Sequence, residues 1–467
     1  MSDHGNVTRR QEQFESFKAQ LIGEYSVKGL AMSVIDAKGN ALYESYDGYR
    51  DEENKLPVNE DTIFGIASLT KSFTCCALQQ LAQRGLISAD DEASNHLEYF
   101  RGERSRGVTV ADLMSHSAGF LPRERLTVER AERQLGIWQD GKYDPARDPR
   151  LAEYAGRKTA EGLLRSPRMP VNEKLFSYCN DGYGLLSEIV RQKGGCSSYA
   201  EYIEEAILKP LDMTRSFCDF ERTGREENIT VLYSYKEGHL TPHKNYYENA
   251  FALMGGGALK STLRDMKRYL AMLMNKGRLA DGTCLIEPGR AEEMTRERVP
   301  FRSRQHYGFG LMIARLEERK TVWHLGTLPG VSSHLSWAPE AGIGVIILCN
   351  TSETPVHLLG KTALSWQMGL PQEKPQTADH APSHALTKAI AGTYEIVEGA
   401  RKTLTIALQG DELTLTLNGQ HLPHRFISPD RLLLSSKLDQ LELKILRNES
   451  GAVWAVFFGD RIMPKIL

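Results

Sequence analysis

The sequence predicts an α+β domain followed by a small antiparallel β-barrel domain, and three observations lead there. Strand-like segments stand at both ends of the first 370 residues, with a long helical block between them. Residues 371–384, "PQEKPQTADHAPSH", are proline-rich, polar and aperiodic. Beyond 385, short alternating segments recur at close spacing. The first pattern implies one antiparallel sheet assembled from both ends of a domain, with helices on both faces and a helical region inserted. The second reads as a linker and the third as a small antiparallel barrel or sandwich, the barrel being preferred. The expected division is therefore 1–370, 371–384 and 385–467.

The elements follow in order. After an amphipathic first helix come "GLAMSVID" (29–36) and "ALYESYDGYR" (41–50), joined by the hairpin turn Lys38-Gly39-Asn40. An apolar helix then opens near Ser68 and stops at Gly85. Residues 86 to about 300 are mainly helical: "VTVADLMSHSAGF", "DGYGLLSEIVRQKGG" and "TLRDMKRYLAMLMNKG" end at Gly119, Gly194 and Gly277. Strands return in "YGFGLMIARLE", "KTVWHLG", "SSHLSWAPE" and "GIGVIILCNTS", and a helix spans roughly 354–369. In the tail, "TLTIALQ", "ELTLTLNG", "RLLLSS", "LELKILR" and "AVWAVFFG" alternate between Gly-Asp, Asn-Gly and Asn…Gly turns.

Composition narrows the function classes. The 467 residues carry 58 basic and 60 acidic side chains, a net charge of −2, which offers neither nucleic acid nor an anionic membrane an electrostatic partner. The longest apolar run, "GIGVIILC", is strand-sized. Seven scattered cysteines with no CxxC pair suggest neither a disulfide framework nor a zinc ribbon, and the start has no apolar stretch of signal-peptide length. The expectation is a reduced, cytoplasmic protein without a metal or other cofactor.

Chemistry concentrates in three places. "IASLTKSFTCC" puts Ser68 and Lys71 one helical turn apart on one face, so Oγ and Nζ can meet. A serine hydroxyl needs a neighbour to take its proton, and lysine serves only where its charge is disfavoured or shared. Moving a lysine pKa from ~10.4 to about 7 corresponds to roughly 4–5 kcal/mol of environmental bias, which burial and a second cation together can supply. The competing roles are a helix cap for Ser68 and a solvent-seeking Lys71. Second, Tyr178-Cys179-Asn180 precedes an amphipathic helix, so a phenol and an amide can face a cleft. Third, "VWHLGTLPGV" ends a strand at His324-Leu325-Gly326. The glycine permits close backbone approach, and the Thr327 N–H can face an oxyanion. For His324 the alternative is a satisfied strand-end histidine.

In this order, the three elements resemble the serine β-lactamase and penicillin-binding-protein superfamily, and within it the group of class C β-lactamases, D-aminopeptidases and related esterases. "FGIASLTKSFT", "VTVADLMSHSAGF", "MGGGALKSTLRDM" and "YGFGLMI" resemble that group's usual text, and the likeness covers about residues 10–370. The tail from "AIAGTYE" resembles the lipocalin-like barrel behind some of these hydrolases. The resemblance implies a β-lactamase/transpeptidase-like fold and a catalytic set of Ser68, Lys71, Tyr178 and His324. Ser68 would be the acylated nucleophile, Lys71 would share its proton, and Tyr178 would be the general base. Asn180 and Gly326 would contact substrate, and the N–H groups of Ser68 and Thr327 would form an oxyanion hole.

The chain departs from the family pattern in three places. His324-Leu325-Gly326 stands where penicillin-recognising members carry K-T-G or K-S-G, while Lys361-Thr362-Ala363 lies in the last helix of the domain and is a decoy. Histidine is often uncharged near neutral pH, which argues against β-lactam turnover and against a preference for a free carboxylate. "PVNEKLF" lacks the usual Pro-Gly turn before Tyr178. The charged segment 121–174 reads as solvated helices, with a lid as the alternative. "LMSHSAGF" reads as a structural turn rather than a second site. The implied function is a metal-free serine hydrolase on small amide or short-peptide substrates, D-amino-acid peptides favoured. A carboxylesterase and a non-catalytic ligand receptor are the alternatives. The C-terminal domain either completes the cleft or builds a homo-oligomer.

Overall fold

The computed structural model describes every residue except 1–2, 122, 125, 138–143, 170–174, 247–253, 372–378, 399, 411, 436–439 and 467. Most of the linker and most of the "PVNEKLF" approach fall outside the described residues. The chain forms two compact units: Met1–Ser115, Leu126–Arg165 and Asn180–Gln372 make the first, and His116–Arg125, Ser166–Cys179 and Glu373–Leu467 the second.

The first unit is built on a nine-stranded antiparallel sheet. Its strands are β1 (Gly29–Asp36), β2 (Ala41–Asp51), β3 (Leu56–Pro57), β4 (Val299–Arg302), β5 (Gln305–Tyr307), β6 (Met312–Leu316), β7 (Arg319–Leu328), β8 (Val331–Ala338) and β9 (Ile343–Cys349). They lie in the order β3-β2-β1-β9-β8-β7-β6-β5-β4, so the two ends of the unit join where β1 pairs with β9. Helices α1 (Asp3–Glu24), α2 (Thr70–Gln83), α3 (Asn180–Gly194), α4 (Leu263–Met274) and α5 (Val356–Gln367) surround it.

The pairing register fixes which side chains share a face. Gly344 on β9 lies under Leu270 and Met274 of α4, while Gly360 of α5 lies against the His334 ring on β8. Alternation along β8 and β9 therefore assigns α4 and α5 to opposite faces. With both faces covered, β1, β8 and β9 are buried almost throughout, which is why they read as continuous apolar or small-residue runs, whereas β2, next to the short edge strand β3, is half-exposed. The charged segment holds helices Val128–Leu135 and Pro149–Arg165, laced by i,i+4 pairs such as Arg157–Glu153 and Arg165–Glu161.

Three local expectations shift. "YGFGLMIARLE" is broken at Gly308–Leu311, where Gly310 has φ +68. Strand β7 runs past Gly326 to Leu328, with the reversal at Pro329-Gly330, so Thr327 belongs to the strand. The left-handed stop after α3 is Gly195 (φ +70), one residue beyond the expected Gly194.

In the second unit, the small antiparallel domain takes the form of two sheets over one apolar core that includes Tyr394, Leu404, Leu415, Phe426, Leu443 and Val456, and not of a barrel. One sheet has β10 (Gly392–Glu398), β11 (Ala400–Gln409), β12 (Glu412–Leu417) and β13 (Gln420–His421). The other has β14 (His424–Ser428), β15 (Arg431–Ser435), β16 (Gln440–Arg447), β17 (Val453–Phe458) and β18 (Arg461–Pro464). The margins meet at Tyr394 and Lys465, but among the described residues no ladder joins β13 to β14. Pro423 lies between them and has no N–H with which to continue one.

Candidate active site

Ser68 does not cap a helix. It is the middle residue of a 3-10 turn, Ala67–Leu69, that runs into α2, and neither helical start carries a side-chain cap. Ala67 is held at φ +48, a left-handed conformation costing a non-glycine residue about 1–2 kcal/mol. The surroundings determine it. The Ile66 carbonyl accepts from Leu69 N–H (3.2 Å) and Ser333 Oγ (2.7 Å), and the Ala67 carbonyl accepts from Thr70 Oγ1 (2.7 Å). Between Thr62 and Gln79 every residue is buried except Ser68. The turn thus lifts one hydroxyl out of an otherwise closed helix.

Lys71 does not seek solvent either: it is fully buried. Its Nζ donates to Ser68 Oγ at 3.1 Å and to the Gly256 carbonyl at 2.7 Å, and it sits 5.3 Å from the Tyr183 ring centroid. Gly256 is the centre of the triple glycine. A Cβ on its neighbour Gly255 would fall 2.7 Å from both Ser187 Cβ and the Tyr183 carbonyl, so only glycine lets this loop reach between α2 and α3. Tyr183 is fixed in turn by its hydroxyl, which donates to the Met114 carbonyl at 2.6 Å. Burial beside Lys71 pushes the Cys75 thiol up to about 12, so it stays protonated. The second lysine of this region, Lys260, is buried elsewhere: its Nζ donates to the Cys218 carbonyl (2.9 Å) and lies 4.1 Å from the Phe220 ring centroid.

Strand β7 brings the third element to the same turn. A Cβ on Gly326 would lie 2.3 Å from the Ile66 carbonyl oxygen and 3.0 Å from Ala67 Cβ, so its backbone is pressed against the residues preceding Ser68. His324 shares that face of the sheet by alternation. It is buried, and both ring nitrogens are engaged: Nδ1 lies 2.7 Å from the Leu325 carbonyl and Nε2 lies 2.9 Å from Tyr307 Oη. A carbonyl only accepts, so Nδ1 carries a proton, and in the neutral ring Nε2 accepts from the Tyr307 hydroxyl. Thr327, by contrast, is exposed. Asn180 opens α3 and is 9% exposed.

Tyr178 belongs to the second unit. There it is 4% exposed, with the His116 ring 4.1 Å away at 31° and the Arg461 guanidinium carbon 4.1 Å from its ring centroid. His116 holds the segment: its carbonyl accepts from Ser177 N–H (2.9 Å) and its Nδ1 from Cys179 N–H (3.1 Å), while its own backbone sits at φ +57. The expected structural turn at "LMSHSAGF" therefore clamps Tyr178. Sequence reasoning missed Tyr183, Tyr307, Ser333 and Arg461. "YGFG" drew notice only as family text, and nothing near Arg461 marks it as a neighbour of Tyr178.

The beta-lactamase family model matches residues 14–366, and the chain belongs to that family of serine hydrolases. It is 24% identical to penicillin-binding protein 4* of Bacillus subtilis over 438 residues, covering 90% of this chain and 91% of that one. The structure of an octameric penicillin-binding protein homologue from Pyrococcus abyssi superposes with a TM-score of 0.66 at 26% identity, covering 97% and 99% of the two chains. SurE, solved with D-Leu, shares the fold at a TM-score of 0.70 and 20% identity, covering 99% of this chain and all of that one. Among the described residues, no helix is long and apolar enough to cross a membrane.

Proposed function

We propose that the chain hydrolyses small amide or peptide substrates through an acyl-enzyme on Ser68. The observation that carries this is the pairing of the one partly exposed residue of a buried stretch, Ser68, with a fully buried lysine amine 3.1 Å from its Oγ. A solvated lysine is a poor base at neutral pH, and burial disfavours its charged form. In the proposed reaction Ser68 Oγ attacks the substrate carbonyl carbon, and its proton passes to the Lys71–Tyr178 pair. The same pair returns that proton to the departing amine. Water then attacks the ester, giving a proton to Tyr178 that passes on to the departing Ser68 Oγ, so the acid and free Ser68 are released. The N–H groups of Ser68 and Thr327 hold the oxyanion, and Asn180 and Gly326 line the substrate position.

His324 is proposed as a neutral wall of the substrate position rather than an anchor for a carboxylate, since Nδ1 and Nε2 are both committed. That supports substrates without a free carboxylate at the scissile end, and it is the observation favouring the second reading, a carboxylesterase on short acyl esters. D-amino-acid-containing substrates are in keeping with the D-Leu complex of SurE. The octameric Pyrococcus homologue supports a homo-oligomer, and the tail is proposed to be an opened relative of a lipocalin-like barrel.

The test is intact-protein mass spectrometry after fluorophosphonate exposure, with Ser68→Ala as control, followed by rates on a D-alanyl anilide and a butyryl ester. A single adduct that vanishes in Ser68→Ala, with faster anilide turnover, supports the peptidase reading, and faster ester turnover supports the esterase. Folded protein that forms no adduct makes the chain a receptor instead.

A further inference from the structure

The ring of Tyr178 carries a fixed positive charge on it. Arg461 opens β18, at the β17–β18 hairpin, and its guanidinium carbon stands 4.1 Å from the Tyr178 ring centroid. The hairpin also touches the Tyr178 backbone, since the Asp460 carbonyl accepts Tyr178 N–H at 3.4 Å. Phe457 of β17 lies edge-on to Phe176, two residues before Tyr178. The Arg461 side chain is anchored by Glu398 of β10. Among the contacts described within this unit, the titratable and charged groups around the phenol include Arg461, Asp460, Glu398 and His116. His116 takes the Cys179 N–H on Nδ1 and so is the neutral Nε2–H tautomer in this arrangement. Arg461 is the one cation among them that stays charged at every working pH.

A cation on the face of a tyrosine is attracted by the neutral ring and far more strongly by the phenolate, whose charge is delocalised into that ring. It therefore favours the ionised form. A tyrosine in a buried setting is otherwise driven the opposite way, as the raised values of buried Tyr99 and Tyr246 illustrate.

We propose that Arg461 is a positioning residue acting through Tyr178: it holds the phenol in place from the C-terminal hairpin and lowers the pH at which Tyr178 becomes the phenolate that accepts the Ser68 proton. This rests on the assignment of Tyr178 as the base. It also gives the C-terminal unit a chemical duty, because truncating the chain after the linker would remove the cation that makes the base effective.

The experiment is the pH profile of kcat/KM on a D-alanyl p-nitroanilide, with the rate of fluorophosphonate labelling as a second readout, on full-length wild type, Arg461→Met, Arg461→Lys and Glu398→Gln. Arg461→Met should displace the acid limb upward by about one pH unit, a roughly tenfold loss of kcat/KM below the limb. Labelling should slow in parallel. Arg461→Lys should recover most of the displacement. Glu398→Gln, which leaves the cation without its compensating carboxylate, should move the limb downward, and it serves as the test if Arg461→Met does not fold. An acid limb unmoved in both charge variants, with any loss confined to KM or thermal stability, would overturn the proposal. Tyr178→Phe separates the two ideas: near-wild-type activity there refutes the base assignment itself, whatever Arg461 does.

Discussion

Gly326→Ala isolates the contact between β7 and the turn that carries Ser68. Gly326 lies within a regular stretch of β7 and is absent from the left-handed positions, so alanine meets no backbone objection there. Space alone decides. The new Cβ would sit 2.3 Å from the Ile66 carbonyl oxygen, 2.3 Å from Ser333 Oγ and 3.0 Å from Ala67 Cβ. An ordinary contact to that oxygen needs roughly 1 Å more, and a backbone carbonyl cannot turn aside as a side chain can. The Ile66 carbonyl is itself bound to Leu69 N–H and Ser333 Oγ, so the strand must retreat from the turn by about that distance. Overpacking of this kind costs typically 1–3 kcal/mol of stability. The kinetic effect should be larger than the structural one. A 1 Å separation of the Thr327 N–H from its working position opposite Ser68 corresponds to a loss on the order of 10²-fold in kcat, with KM changing little. The assay is steady-state turnover of the better of the two substrates, alongside thermal melting. Folded Gly326→Ala protein with kcat within about threefold of wild type would refute both the tightness of this contact and the oxyanion role proposed for Thr327.

Two further perturbations probe buried charge. Lys71→Met should lower acylation by about 10²–10⁴-fold, the usual span for loss of a proton-transfer group, while changing stability little. The orphaned Gly256 carbonyl costs about 1–3 kcal/mol, but the burden of burying an amine disappears with it. Fluorophosphonate labelling and chemical denaturation read the two effects, and wild-type labelling by Lys71→Met would remove the lysine from the mechanism. His334 sets a pH dependence of stability. Burial pushes it down to about 3, with the nearby His357 and His324 adding to the effect, so it is neutral when folded and protonates near 6.5 when unfolded. Its contribution is intact above pH 6.5 and is lost as pH falls towards 3, up to about 4–5 kcal/mol. His334→Gln should flatten the acid side of the stability curve by that order, and equal acid sensitivity of both proteins in urea titrations would contradict the assignment.

Much of this was legible in the residues because it is local. The strand over 29–36 follows from its apolar run, and α2 follows from helical periodicity. The Ser68–Lys71 contact needs only the i,i+3 geometry of a helical turn. Other features were illegible for equally physical reasons. That Lys71 is fully buried depends on a glycine loop almost two hundred residues away closing over it, and that Ser68 alone is partly exposed depends on Ala67 being held at positive φ by partners on β8 and α2. The alternating strands of the tail left barrel and sandwich both open, because whether a ladder joins β13 to β14 depends on how the two sheets pack and not on the alternation itself.

The sequence by itself determined the elements, the sheet that uses both ends of the first unit, and the residue types available for acyl transfer, since these rest on periodicity and on side-chain chemistry. Only the tertiary structure decided how those residues are conditioned. It committed His324 to Tyr307 and to its neighbour's carbonyl, pressed Gly326 onto the turn before Ser68, and laid Arg461 from the last hairpin on the ring of Tyr178. The Gly326 and Arg461 contacts join segments far apart in the chain, and Tyr307 reaches His324 from a neighbouring strand. Burial and tautomer are set by whatever the fold brings alongside a residue, and adjacent letters carry no record of it.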